Sequence, residues 1–264
     1  MGAACAAELA PRADLILTDL DATRLEETAA SLPTPSGRTP TLVACDLSQP
    51  EDREKLQRAV RAQNGFHWLV HTAGLSPAMA PWSDVLEVDL EATAALLDTL
   101  GKEMHRGGAA VCFASVAGHM GADNTEIDQV LDDPLAEDLP GRLRAALGEE
   151  PPSGLAYLYA KRGVIRLCER LAIPWGARGL RVVSLSPGLM DTAMGRFELE
   201  NTPGKEPLIA RIPLERDLQA GQSRLPGRAE DIAQAVGFLC SDAASFITGC
   251  DLRIDGGLIA ALGS

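Results

Sequence analysis

Short apolar runs alternate along the chain with stretches spaced like one face of a helix. Residues 14–18 form an apolar run that stops at Asp19 and predicts a buried strand. From 21 to 32, Leu25, Thr28, Ala29 and Leu32 recur at helical intervals, and Pro33 and Pro35 end the segment. The run 41–45 predicts a second strand, closed by Asp46. Ser48 is placed to cap the next helix, with Pro50 early in it and Glu51 three residues after the cap. A third strand over 67–71 leads into Thr72, Ala73 and Gly74, and a helix over 82–105 precedes a strand over 109–114. A long helix is predicted over 153–177, then a strand over 181–186 that meets Pro187 and Gly188. A last helix at 229–239 and a strand at 252–254 complete the pattern before Gly256 and Gly257. Strands alternating with helices predict an α/β fold, a doubly wound parallel sheet with helices on both faces.

Length and composition narrow this. With 264 residues there is room for one large domain, 1–264, and its 46% hydrophobic share with only 4% aromatics predicts an aliphatic core. A formal charge of −13 argues against nucleic acid or an anionic membrane as a partner. The cysteines Cys5, Cys45, Cys112, Cys168, Cys240 and Cys250 are scattered without a C-x-x-C pair, which suits reduced thiols in a cytoplasm. His67 and His71 flank a strand with no third ligand in view, so no metal is expected. No apolar run reaches membrane-spanning length and no signal sequence is recognisable, so a cytoplasmic location is expected.

The chemistry is concentrated in one helix. Tyr157 and Lys161 are four residues apart and share a helix face. A free phenol titrates near pH 10 and is a poor base at neutral pH, but a nearby ammonium favours the phenolate. Ser115, at the end of the 109–114 strand, adds a hydroxyl able to polarise a carbonyl oxygen. Together the three can move a proton to or from an alcohol.

With Asp19, Asp46, the Thr72-Ala73-Gly74 turn, Ser115 to Gly118, Tyr157 and Lys161, Pro187-Gly188 with Thr192, and Asp255 to Gly257, the chain resembles a short-chain dehydrogenase/reductase. The resemblance implies a Rossmann-like fold and an NAD-dependent oxidoreductase acting on a secondary alcohol or ketone. It implies that Tyr157 is the general acid/base, Ser115 the carbonyl-orienting donor, and Lys161 both activator and ribose ligand. Asp19 would face the adenosine ribose and favour NAD over NADP, or cap the next helix; both roles could fall to Asp19 and Asp21 together. Asp46 and Leu47 would meet the adenine, with an N-cap as the alternative for Asp46. Gly2, Thr72, Ala73 and Gly74 would border the cofactor, while Pro187, Gly188 and Thr192 would hold the nicotinamide.

Three departures from the family stand out. The chain opens at Met1 and Gly2, which resemble the last residues of the glycine-rich phosphate loop. A central first strand and most of that loop are therefore expected upstream of an internal Met1. The competing reading is a truncated chain that binds no dinucleotide. Asp89 stands where relatives carry asparagine, and is expected to pair with Lys161 and raise its pKa. The stretch between Ser115 and Tyr157 is longer than in most relatives, with an acidic insert at 122–150 carrying nine acids and two arginines. Ile127, Val130 and Leu131 fit one short helix there, and Leu139, Leu143 and Leu147 fit another. A helical insert resembles the bacterial 3α-hydroxysteroid dehydrogenase/carbonyl reductase branch, making a hydroxysteroid one candidate substrate; a solvated decoration is the alternative. His119 reads as a loop histidine. A polar lid at 193–228 carries Arg196, Glu198, Lys205, Arg211 and Arg216. Like charge on the insert predicts a homodimer through the C-terminal surface rather than a tetramer. The alternative function is a non-catalytic relative acting as a binding or scaffolding subunit.

Overall fold

The computed structural model describes residues 1–33, 39–121, 123–202, 204–214, 216 and 225–263. Pro35, Ala122 at the expected start of the insert, and 217–224 in the expected lid lie outside the described residues. The first half runs α1 (Gly2–Leu9), β1 (Ile16–Asp19), α2 (Ala22–Ser31), β2 (Thr41–Ala44), α3 (Pro50–Ala62), β3 (Phe66–His71), α4 (Trp82–Leu86), α5 (Ala92–Leu100) and β4 (Met104–Phe113). Then come α6 (Thr125–Leu131), α7 (Leu139–Leu147), α8 (Ser153–Ala177), β5 (Arg181–Pro187), β6 (Met190–Asp191), α9 (Ala193–Asn201) and α10 (Lys205–Ile209). The chain closes with β7 (Gly227–Arg228), α11 (Ala229–Cys240), β8 (Asp251–Ile254) and α12 (Leu258–Leu262).

Strand pairing is parallel throughout, as the strand–helix alternation predicts. The main sheet has the order β3-β4-β5-β8, β1 pairs with β2, and β6 with β7 forms a short third piece. Among the described residues β1 pairs only with β2, and β3 only with β4 at the edge of the main sheet. Trp68, Leu69 and Val70 of β3 are accordingly only half-buried, whereas all of β5 is buried.

Alternation along β4 shows how the layers form. Ala110 and Cys112 face a core shared with Leu97, Val164 and Cys168, while Val111 and Phe113 face Cys5, Leu9, Ile232 and Val236. Successive strand residues point to opposite faces, so α5 and α8 cover one side of the sheet and α1 and α11 the other.

Several expectations need correction. The helix predicted at 82–105 is interrupted by a π-helical turn at Glu87–Glu91 and ends at Leu100. Its close lies against α8: a Cβ on Gly101 would come within 2.7 Å of the Trp175 ring. β4 begins at Met104, earlier than predicted, because Met104 pairs with Phe66. Ser48 does not cap α3; its hydroxyl donates to Asp46, and Gln49 holds the N-cap position without a side-chain bond. Pro50 does stand in the first turn.

The insert is no solvated decoration. Ile127, Leu131, Leu139 and Leu143 are buried and belong to the same core as Leu86, Leu90 and Val164. Burying four such side chains contributes roughly 1.5–3 kcal/mol each, so α6 and α7 are integral to the domain.

Candidate active site

Parallel strands place their C-terminal ends along one edge, where a ligand crevice is expected. Asp19 ends β1, Asp46 lies just past β2, Thr72 follows β3, Ser115 lies just past β4 and Pro187 ends β5. The sequence-predicted residues are thus brought to a common edge.

At its centre is a compact charged cluster. Lys161 Nζ lies 5.5 Å from the Tyr157 ring centre and donates to the Phe113 carbonyl at 3.2 Å. It also stands 3.2 Å from Asp89 Oδ2, the pairing predicted from sequence. Asp89 is 1% exposed, and its Oδ1 accepts the Leu75 amide at 2.6 Å. Oδ2 accepts no aligned hydrogen bond, so Asp89 and Lys161 interact there as a charge pair. The π-helical turn carries Asp89 into this position. Gly74 makes the approach possible, because a Cβ there would meet Asp89 Oδ1 at 3.0 Å and Lys161 Nζ at 3.2 Å. Ser115 caps the turn at Val116–His119, accepting the Ala117 amide at 3.2 Å.

The electrostatics follow from burial first and charge second. Burial pushes the Tyr157 phenol up; Lys161 pulls it down, Asp89 pushes it up again, and a hydrogen bond with Ser115 lowers it, leaving it above its usual value. Burial disfavours the Lys161 ammonium, but Asp89, Tyr157 and Glu198 together outweigh this and hold Lys161 above the usual lysine range. Burial raises Asp89, and Lys161 only partly reverses the effect.

The sequence reading missed two members of the cluster. His71 ends β3 and is buried, with Nε2 2.8 Å from Thr93 Oγ1. The Thr93 hydroxyl proton goes to the Asp89 carbonyl, so His71 donates from Nε2. Burial, helped by the Lys161 charge, lowers His71 to about 4. Glu198 of α9 is the second: its charge acts on Tyr157, Asp89 and Lys161 alike, and it pairs with Lys205. Neither belongs to a recognisable spacing, so no sequence signal marks them. His119, expected to be a plain loop residue, lies 2.8 Å from Asp251 and ties the Ser115 turn to β8. Ser184 gives its proton to the same Asp251 at 2.6 Å, so this trio holds no serine activated by histidine.

The flanking residues expected to border a cofactor have defined partners. Asp21, not Asp19, caps α2 through the Thr23 and Arg24 amides. Among the described residues Asp19 accepts the Asp21 amide through Oδ1. Asp46 does not cap α3; its Oδ1 accepts the Ser48 amide and hydroxyl, and Leu47 beside it is buried. Gly2 packs on Thr72, where an added Cβ would sit 2.7 Å from Oγ1. A Cβ added to Gly188, next to Pro187, would likewise sit 2.7 Å from Asp255 Cα. Thr192 caps α9 by accepting the Gly195 amide, which leaves its hydroxyl proton for another partner. Ala73 joins Thr72 to Gly74 on the same edge.

Comparison with known proteins identifies the family. A family profile described as enoyl-(acyl carrier protein) reductase matches residues 1–130 and 145–259, leaving part of the insert unmatched. D-threitol dehydrogenase of Mycolicibacterium smegmatis is 30% identical, over 97% of this chain and 88% of that protein. A 3α-hydroxysteroid dehydrogenase/carbonyl reductase of Comamonas testosteroni is 28% identical, over 83% of this chain and 84% of its own length. The fold also superposes, with a TM-score of 0.73, on a 7α-hydroxysteroid dehydrogenase solved with NADH and 7-oxo glycochenodeoxycholic acid. That match covers 96% of this chain and 88% of the other at 20% identity, and it concerns the fold alone. The chain belongs to the short-chain dehydrogenase/reductase family and is an oxidoreductase acting on alcohols, in a family that uses nicotinamide dinucleotides. No helix among the described residues is long and apolar enough to cross a membrane.

Proposed function

We propose that this chain interconverts a secondary alcohol and its ketone with NAD, using Ser115, Tyr157 and Lys161 for proton transfer. The observation that carries the reading is the buried contact of Lys161 with Asp89 beside the Tyr157 ring, on the strand edge where ligands bind. When bound, the nicotinamide accepts hydride from the carbinol carbon. Ser115 holds the substrate oxygen by hydrogen bonding, and Tyr157 Oη takes or gives the proton on that oxygen. Lys161 binds the ribose and supplies the charge that makes the tyrosine titrate. Asp19 selects NAD, because its carboxylate would repel a 2′-phosphate. The names of the two relatives, one acting on a polyol and one on a hydroxysteroid, support a carbinol substrate and supply the first compounds to test.

The test is reduction of NAD by threitol and by 3α-hydroxysteroids, and the reverse reaction with the ketones. Tyr157→Phe is expected to lower turnover by about 10²–10⁴-fold. Undiminished turnover in that variant would remove Tyr157 from the mechanism. Binding of dinucleotide without turnover of any carbinol or ketone would favour the scaffolding alternative.

A further inference from the structure

We propose that Asp89 takes up the charge of Lys161 and thereby makes Tyr157 a proton donor, setting the site to reduce a carbonyl rather than oxidise an alcohol at neutral pH. For the direction of reaction this rests on the oxidoreductase reading; for the state of the tyrosine it does not.

To oxidise an alcohol, Tyr157 must first be a phenolate, and a phenolate is stabilised by a cation that nothing else has claimed. Lys161 is already partly claimed by Asp89. Its ammonium is 3.2 Å from a carboxylate that is 1% exposed, and the Phe113 carbonyl takes a further proton at 3.2 Å. Asp89 is fixed in turn by the Leu75 amide at 2.6 Å, so it cannot swing away and release the lysine.

The other elements packed around the phenol do not restore the balance. From β3, His71 is held neutral. From α9, Glu198 adds a second negative charge, partly offset by Lys205 of α10. The turn after β4 offers only the Ser115 hydroxyl. Burial opposes the phenolate first, and Asp89 and Glu198 cancel part of what Lys161 contributes toward it, so ionising Tyr157 is disfavoured.

The neutral phenol is suited to the opposite step. Hydride leaves the reduced dinucleotide for the carbonyl carbon, and the Oη–H bond breaks as its proton moves to the carbonyl oxygen. The phenolate then recovers a proton from water, and the products are the alcohol and the oxidised dinucleotide.

The chain makes a direct test practical, since its only two tyrosines are Tyr157 and Tyr159. The ultraviolet change on tyrosine ionisation is followed against pH in the full chain without cofactor, and subtracting Tyr157→Phe isolates Tyr157. Asp89→Asn keeps an acceptor for the Leu75 amide but frees the lysine charge, and Asp89→Ser serves if the asparagine variant does not fold. The expected result is a Tyr157 midpoint about one pH unit or more lower, hence about tenfold more phenolate below the midpoint. The alkaline limb of the alcohol-oxidation rate should move in the same direction. An unchanged or higher midpoint overturns the proposal whatever the turnover. A lowered midpoint with no turnover in either direction supports the charge relation and overturns the oxidoreductase reading.

Discussion

Arg162 holds Asp128 of the insert from two nitrogens, Nε to Oδ1 at 2.6 Å and Nη2 to Oδ2 at 2.8 Å. Arg166 grips Asp132 in the same way at 2.7 Å, and Arg170 reaches Asp132 at 2.8 Å. Arginines at every fourth position of α8 thus form a stripe that fastens α6 to the domain. The sequence reading treated the insert's acids as free to repel a second copy. Three of them, Asp123, Asp128 and Asp132, are instead paired with arginines within the chain, and the repulsion argument loses much of its force.

This ladder makes acid stability a direct readout. Hydrogen bonds from Arg162 and Arg166 hold Asp128 and Asp132 below the usual carboxylate range. A depressed carboxylate contributes stability that is present above its unfolded value, near 3.9, and lost as pH falls through the folded one. Arg162→Ala is expected to cost about 1–3 kcal/mol at pH 7. The difference from the parent protein should shrink markedly at pH 3, as measured by urea unfolding.

Assembly can be argued afresh from exposed apolar residues. Phe246 is fully exposed, Ile173 is 81% exposed and Phe238 44%. The turn carrying Phe246 comes close to the Ile173 segment, since a Cβ on Gly249 would touch Ala172. Apolar surface gathered in one patch suits association. A homodimer through this C-terminal surface is expected, with Phe246→Asp giving a monomer in light scattering. A parent protein that is monomeric at high concentration would count against it.

Much of this structure was legible in the sequence because its signals are local. The Tyr157–Lys161 spacing, the strand ends at Asp19 and Pro187, and the leucines of α6 and α7 each depend on periodicity within one element. What escaped depends on where distant elements meet. The π-helical turn at Glu87–Glu91 has no sequence signature, yet it brings Asp89 to Lys161. The Arg162, Arg166 and Arg170 stripe was visible in the sequence, but only the fold shows that acids of α6 lie opposite. His71 reads as an ordinary strand residue until Thr93 appears beside it.

Gly74 offers a steric test of the cluster. Its φ is not in the left-handed region, so alanine is tolerated by the backbone and the effect is one of space. A Cβ there would stand 3.0 Å from Asp89 Oδ1 and 3.2 Å from Lys161 Nζ, with both partners fixed by burial. Gly74→Ala is expected to cost about 1–3 kcal/mol in stability. Displacing Lys161 from Tyr157 should also lower turnover at least about tenfold. Wild-type turnover and stability would show that the pair can shift without consequence.

His71 predicts a separate loss of stability in mild acid. Its folded value, about 4, lies below the value near 6.5 expected in the unfolded chain, because burial and Lys161 oppose its protonation. Between those two values the unfolded state binds the proton and the folded state does not, so acid favours unfolding. The contribution is therefore intact above about pH 6.5 and lost as pH falls toward 4, by about 3 kcal/mol in all. His71→Gln provides the control, since its amide nitrogen can still donate to Thr93 Oγ1 without taking up a proton. Urea unfolding of the two proteins at pH 7 and pH 4.5 should show the parent losing more stability than the variant. Parallel losses in both would mean that His71 is already charged in the fold, or that another group governs the acid limb.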